Sequence, residues 1–250
     1  AYEADKAKNN KGINVIIGNP PYSGESANKG EWIMSLMEDY KKEPGGKEKL
    51  KERNPKWIND DYVKFIRFAQ YCIEKNGRGV VAFINPHGFI DNPTFRGMRW
   101  KLLSAFDKIY ILNLHGNAKK KEVCPDGSKD ENVFDIQQGV AIVLAIRLTN
   151  SNKKTAKVYY SDLYGVRDSK YRYLDKAFYY TNTIELHPEA TKYFLVPKDF
   201  SRQNGYNDFF AINNLMTVNS VGIVSANDKI LINVDESVLI NNVGTFYGIT

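Results

Sequence analysis

Ile13-Asn14-Val15-Ile16-Ile17-Gly18-Asn19-Pro20-Pro21-Tyr22 is a β-branched run stopped by a glycine, an asparagine and two prolines. It reads as a short buried strand that ends in a rigid loop. Consecutive prolines set φ and remove two N–H groups, while their carbonyls stay free to accept hydrogen bonds. Asn19 adds an amide oxygen and an NH2 group, and Tyr22 adds a flat ring. In open α/β sheets, ligands bind beyond the carboxyl ends of the strands, so this corner stands where chemistry is expected. Its chemistry suits a planar molecule with an amino group. Asn19 Oδ1 and the Pro20 carbonyl can accept the two N–H bonds, and the ring can lie on Tyr22.

The residues that follow supply the rest of an α/β domain. Residues 28–42 are expected to be helical, with Trp32, Ile33, Leu36 and Met37 on one side. The charged stretch 43–57, with Pro44, Gly45 and Gly46, is expected to be a mobile loop. Tyr62, Phe65, Ile66, Ala69, Cys72 and Ile73 keep the three-and-four spacing of one buried helix face. One of Asn59, Asp60 and Asp61 caps that helix, and Asn76-Gly77 ends it. Gly79–Ile84 reads as a second strand closed by Asn85-Pro86, and a helix over about 95–106 turns Met98, Leu102, Leu103 and Phe106 inward. Ile109–Leu114 and Gly139–Arg147 are further strands around a polar loop from His115 to about Glu131, and Val158-Tyr159-Tyr160 suggests one more. Alternating strands and helices predict a mainly parallel sheet. The last two strands are joined by a loop without a clear helix, which allows an antiparallel pair. Periodicity weakens beyond residue 155, so the expected division is 1–155 and 156–250.

Composition narrows the classes. Forty-two per cent of the 250 residues are hydrophobic, enough for a core, and two cysteines, Cys72 and Cys124, are too few for a disulfide scaffold. No apolar run approaches the length of a membrane span, and AYEADKAKNNKG at 1–12 has no apolar core of the signal-peptide kind. The net charge is +6, and residues 1–150 hold 24 Lys+Arg against 19 Asp+Glu. Lys119-Lys120-Lys121 is the clearest basic run. A solvated loop explains it, and phosphate contact becomes a reading only if DNA is implied. His87 reads as a loop residue. His115 and His187 show no metal-like company in the sequence, so no metal site is expected.

The segment IIGNPPY resembles the catalytic motif of S-adenosylmethionine-dependent amino-methyltransferases. Both N6-adenine DNA methyltransferases and glutamine-amide methyltransferases carry that tetrapeptide. Asn132-Val133-Phe134 followed by Gly139–Val143 resembles the late motif of the gamma-class adenine enzymes. The resemblance implies that Phe134 stacks on a flipped adenine opposite Tyr22. It also implies that Asn19, Pro20, Pro21 and Tyr22 form the catalytic corner. Asp60–Ile90 matches the family's middle. Asp162–Gly165 with Lys170, Tyr171 and Leu174, and Val221–Val224 with Asn227–Lys229, are similar to the connector of large single-chain restriction–modification proteins. The resemblance therefore implies the C-terminal half of a Rossmann-like methyltransferase sheet, followed by a less regular connector and the start of a target-recognition region.

Its expected partners are duplex DNA with a flipped adenine, an upstream methyltransferase half, and nuclease or motor domains. The expected setting is the bacterial cytoplasm. Asn14 departs from the acidic residue common at its place, without expected loss of chemistry. The family binds S-adenosylmethionine through an earlier glycine-rich unit, and the 18 residues before Asn19 contain none. The isolated chain is therefore expected to be an inactive fragment that binds cofactor weakly. A glutamine N5-methyltransferase and a non-enzymatic DNA-binding module are the alternatives.

Overall fold

A computed structural model describes residues 12–24, 26–52, 55–149, 155–176, 183–201, 205–206, 208–210, 212–216, 218 and 227–248. The expectation on Val221–Val224 lies outside these residues. Two compact units meet in sequence at Lys198/Asp199. The first holds β1 (Val15–Gly18), α1 (Glu31–Met37), α2 (Asp61–Asn76), β2 (Gly79–Pro86), α3 (Gly88–Asp91) and α4 (Arg96–Ala105). It continues through β3 (Lys108–His115), β4 (Val140–Arg147), β5 (Lys157–Asp162), α5 (Arg167–Lys176) and β6 (Ile184–Leu186). The second contains α6 (Ile212–Leu215), α7 (Asp228–Leu231) and α8 (Glu236–Tyr247), the last capped by the Asp235 carboxylate.

The strands form one sheet in the order β1-β2-β4-β3-β5-β6. It is mixed instead of mainly parallel. β1 runs parallel to β2 and β3 parallel to β5, but β4 is antiparallel to both β2 and β3, and β6 to β5. A parallel return needs a crossover element. The 116–139 loop provides only a three-residue turn at Ala118–Lys120, so the chain comes back antiparallel. β4 and β5 do run in opposite directions, but β3 lies between them.

Period-two alternation sets the two faces. Val81, Phe83, Ile109, Ile111, Ala141, Ala145, Val158 and Tyr160 pack with α2 and α4 in the main core. Burying a side chain of that size stabilises by roughly 1.5–3 kcal/mol. The opposite face carries a smaller cluster of Leu112, Leu114, Val133 and Val140. β1 is less buried than expected, with Val15 and Ile17 exposed at the sheet edge. A β-branched run signals a strand but does not say which side is covered. Asn14 Oδ1 accepts from Asn76 Nδ2 at 2.9 Å, which ties the start of β1 to the end of α2.

α2 has the expected span, and Gly77 ends it in the left-handed region at φ 80°. Its buried face is rotated from the expected one. Phe65 is exposed, while Val63 and Gln70 are buried. Gln70 tolerates burial because its amide is matched, Oε1 accepting from Tyr40 and Nε2 donating to Glu74. Residues 43–52 of the stretch expected as a mobile loop are fastened. Arg96 donates to Glu43 and Glu52, Leu50 is buried, and Lys42 and Lys49 form an antiparallel bridge.

The sheet also runs past the expected division at 155/156. Ala156 N bonds Leu103 O, and β5 then extends the sheet beside β3. Further on, the buried Arg99 guanidinium donates to the Lys192, Phe89 and Asn92 carbonyls, and Leu195 is fully buried. Among the described residues, no helix is long and apolar enough to cross a membrane.

Candidate active site

The carboxyl ends of β1, β2, β3 and β5 reach the same rim of the sheet, because those four strands share a direction. Asn19 follows β1 and is exposed, Pro20 is buried, Pro21 is exposed and Tyr22 is half-buried. The Tyr22 hydroxyl lies 2.7 Å from Asn19 Oδ1 and 3.0 Å from the Ile84 carbonyl of β2. It has one proton, so it donates to one of them at a time. Burial pushes its pKa up to about 12, so it remains a neutral donor at ordinary pH. An amide oxygen has two lone pairs, and Asn19 Oδ1 keeps one for a second donor. Past the corner, Gly24 N donates to Asp60 and Ser23 Oγ to Asp61. The corner is thus anchored at the start of α2. Asp60 occupies the N-cap position but makes no side-chain bond to the helix.

Phe134 reaches the rim from the loop between β3 and β4. Asn132 holds it there. The Asn132 amide donates to Gly116 O and Gln138 O, and its oxygen accepts from Phe134 N at 2.9 Å. Arg167 of α5 donates to the carbonyls of Asn132 and Phe134. Beneath them lies a buried ion pair, Lys170–Asp130 at 2.7 Å, with both side chains 0% exposed. Asp130 also accepts from Gly116 N and Gly165 N, while Lys170 donates to Leu114 O and Glu131 O.

Tyr22 and Phe134 both pack against the Leu112–Val140 cluster. The structure therefore brings together two side chains that are 112 positions apart in sequence. Beside Phe134 an open cleft of about 660 Å³ is lined by Gly116, Glu122, Asn132, Asp135 and Arg167, among others. Asn19 and Tyr22 do not line it. Lys119, Lys120 and Lys121 are exposed on a single turn after β3. Lys120 lies 3.7 Å from Asp91.

Sequence reasoning missed the buried polar layer under this rim. His87, expected in a loop, is buried at the start of α3. Its Nδ1 lies 3.1 Å from Asn113 Oδ1 and its Nε2 3.0 Å from Asn117 Nδ2. That pattern places the proton on Nδ1 and a lone pair on Nε2. Burial lowers its pKa and keeps the ring neutral.

His115 does have carboxylate company. Nδ1 lies 3.0 Å from Glu122 and Nε2 2.7 Å from Asp162. Burial opposes its charge, but the bonds to Asp162 and Glu122 outweigh it and raise the pKa. Gly139 makes room for His87, since a Cβ there would stand 2.4 Å from the imidazole Cε1. The available signal was placement, because His87 and His115 each stand at the carboxyl end of a strand.

Comparison with known proteins agrees with this architecture. Residues 1–119 match the family model described as Eco57I restriction-modification methylase. The cryo-electron microscopy structure of a DrdV–DNA complex is 26% identical, with a TM-score of 0.72 over 99% of this chain and 26% of that one. The Type ISP restriction-modification enzyme LlaGI, a nuclease-deletion mutant with a DNA substrate mimic, is 24% identical, with a TM-score of 0.70 over 96% and 23%. DNA-bound LlaBIII is 24% identical, with a TM-score of 0.62 over 80% and 14%. The chain thus spans about a quarter or less of these proteins. No curated protein matches it. Residues 1–119, the stretch similar to the Eco57I restriction-modification methylase model, hold the NPPY corner and β1 to β3.

Proposed function

We propose that this chain carries the base-holding half of an adenine-specific DNA methyltransferase. The observation that carries the reading is the convergence of Asn19, Tyr22 and Phe134 on one rim, with Tyr22 and Phe134 on a common apolar cluster. DrdV, the 26%-identical neighbour, was solved on DNA. An adenine inside a duplex is out of reach, so the base must be flipped out. Tyr22 and Phe134 then stack on its faces, a contact that contributes about 1–3 kcal/mol per base.

Asn19 Oδ1 and the Pro20 carbonyl accept the two N6–H bonds. This draws the nitrogen lone pair out of conjugation and leaves it as the nucleophile. Lys119, Lys120 and Lys121 touch phosphates, which positions the duplex without reading it. S-adenosylmethionine supplies the electrophilic methyl group when bound. Its main grip does not fit the turn after β1, where Pro20 and Pro21 offer no N–H. The described residues contain no glycine-rich strand–turn–helix unit, and the Gly77–Gly79 turn enters a strand instead of leaving one.

The test uses the protein that contains this chain, unmodified DNA and methyl-labelled S-adenosylmethionine, followed by digestion to nucleosides. Label in N6-methyladenine is expected. Label in a protein glutamine or in cytosine, or DNA binding without any transfer, would overturn the reading.

A further inference from the structure

We propose that His87, His115 and Glu122 form a binding site for a divalent transition metal of the zinc type. One ligand atom from each lies within 4.8 Å of the other two. The three come from the end of β2, the end of β3 and the following loop, so folding brings them together. His115 Nδ1 and Glu122 Oε1 are already 3.0 Å apart. Two ligands on one tetrahedral zinc, with bonds of about 2.0–2.1 Å, stand roughly 3.3 Å apart.

The surrounding bonds carry the inference furthest. A histidine that binds metal donates its other N–H to a carboxylate or carbonyl, which fixes ring and tautomer. Both rings do so here. His87 donates from Nδ1 to Asn113 Oδ1, and His115 from Nε2 to Asp162 Oδ1. The two acceptors are themselves joined, because Asn113 Nδ2 donates to the Tyr160 hydroxyl, which donates to Asp162. An unbroken chain of hydrogen bonds from one ring to the other therefore aims His87 Nε2 and His115 Nδ1. Two carboxylates, Glu122 and Asp162, face the His115 ring from its two nitrogens. His115 is held at φ 52°, a conformation that persists in a non-glycine residue only where its surroundings over-determine it.

Metal entry replaces two hydrogen bonds, His115 Nδ1 to Glu122 Oε1 and Asn117 Nδ2 to His87 Nε2. Glu122 also lines the open cleft, which leaves the fourth position to water. The bound ion would clamp the ends of β2 and β3 to the loop that carries Phe134. This site does not rest on the methyltransferase reading.

The test is titration of the chelator-treated 250-residue chain with Co2+ alone, read by visible d–d absorption, followed by competition with Zn2+. One tetrahedral Co2+ per chain is expected, and zinc should displace it. His87→Gln and Glu122→Gln should abolish the band, Asp162→Asn should weaken binding by about 10–100-fold, and His187→Gln should change nothing. Circular dichroism checks each fold. Should His87→Gln misfold, the loop variant Glu122→Gln and the outer variant Asp162→Asn still decide. No tetrahedral band, or a band that survives both Glu122→Gln and Asp162→Asn, would overturn the site.

Discussion

The Asn19–Tyr22 corner and the loop carrying Phe134 reach the same rim by different means. The corner is four residues long. Two proline rings stiffen it, and the Tyr22 hydroxyl donates to either Asn19 or β2. The loop spans 24 residues between β3 and β4, and its shape comes from its own Asp130 and Asn132 bonded to the distant Arg167 and Lys170 of α5 and to backbone groups. Covalent stiffness makes the first nearly independent of the rest of the fold. The second depends on buried polar groups that all need their partners. Substitutions should therefore have small structural effects in the corner and large ones under the loop.

The largest effect is expected at Lys170. Lys170→Met leaves Asp130 as a buried charge without its cation, which should cost about 3–5 kcal/mol. Thermal unfolding checks it, and a loss below about 1 kcal/mol would break the contrast. Asn132→Ala comes next. It leaves two carbonyls and the Phe134 N–H without their partner, and should cost about 1–3 kcal/mol. Amide exchange should rise at Phe134 and stay unchanged at Tyr22.

Tyr22→Phe keeps the ring and removes the hydroxyl bond, for about 0.5–1.5 kcal/mol. Its pH dependence has a defined sign. The tyrosine titrates at about 12 when folded against 10.0 unfolded. Its contribution is therefore whole below pH 10 and lost as pH rises through about 12. The stability gap between wild type and Tyr22→Phe should be flat from pH 5 to about 9 and narrow above 10. Pro21→Ala should do least, within about 0.5 kcal/mol, since the residue is exposed. A large loss there would show that the corner leans on more than its own stiffness.

The same contrast explains what could be read from the sequence. Asn19, Pro20, Pro21 and Tyr22 announce their geometry locally, and strand-then-proline placed them at a sheet rim. α2 and α4 were legible because their apolar spacing records a buried face. The rotation of the α2 face was not, since Phe65 and Gln70 both fit a three-and-four pattern. Only the partners Tyr40 and Glu74 make the burial of Gln70 tolerable. The antiparallel insertion of β4 was hidden for a similar reason, because strand order is a long-range property. Asn113, His115, Asp130 and Lys170 look like ordinary polar residues. Their roles exist only after β3, β5 and α5 have come together. A strand at Val158–Tyr160 was legible, but its place beside β3 and the existence of β6 were hidden by the weak periodicity after residue 155.

The assignment of Asn19 as acceptor for the target nitrogen meets its sharpest trial in methyl transfer by Asn19→Ala, assayed in the protein that contains this chain beside a wild-type control. Loss of a transition-state hydrogen-bond partner should lower kcat by about 10²–10³-fold. Thermal stability and DNA affinity should stay near wild type. Transfer to adenine at a rate within a few-fold of wild type would show that Asn19 does not hold the reacting amino group.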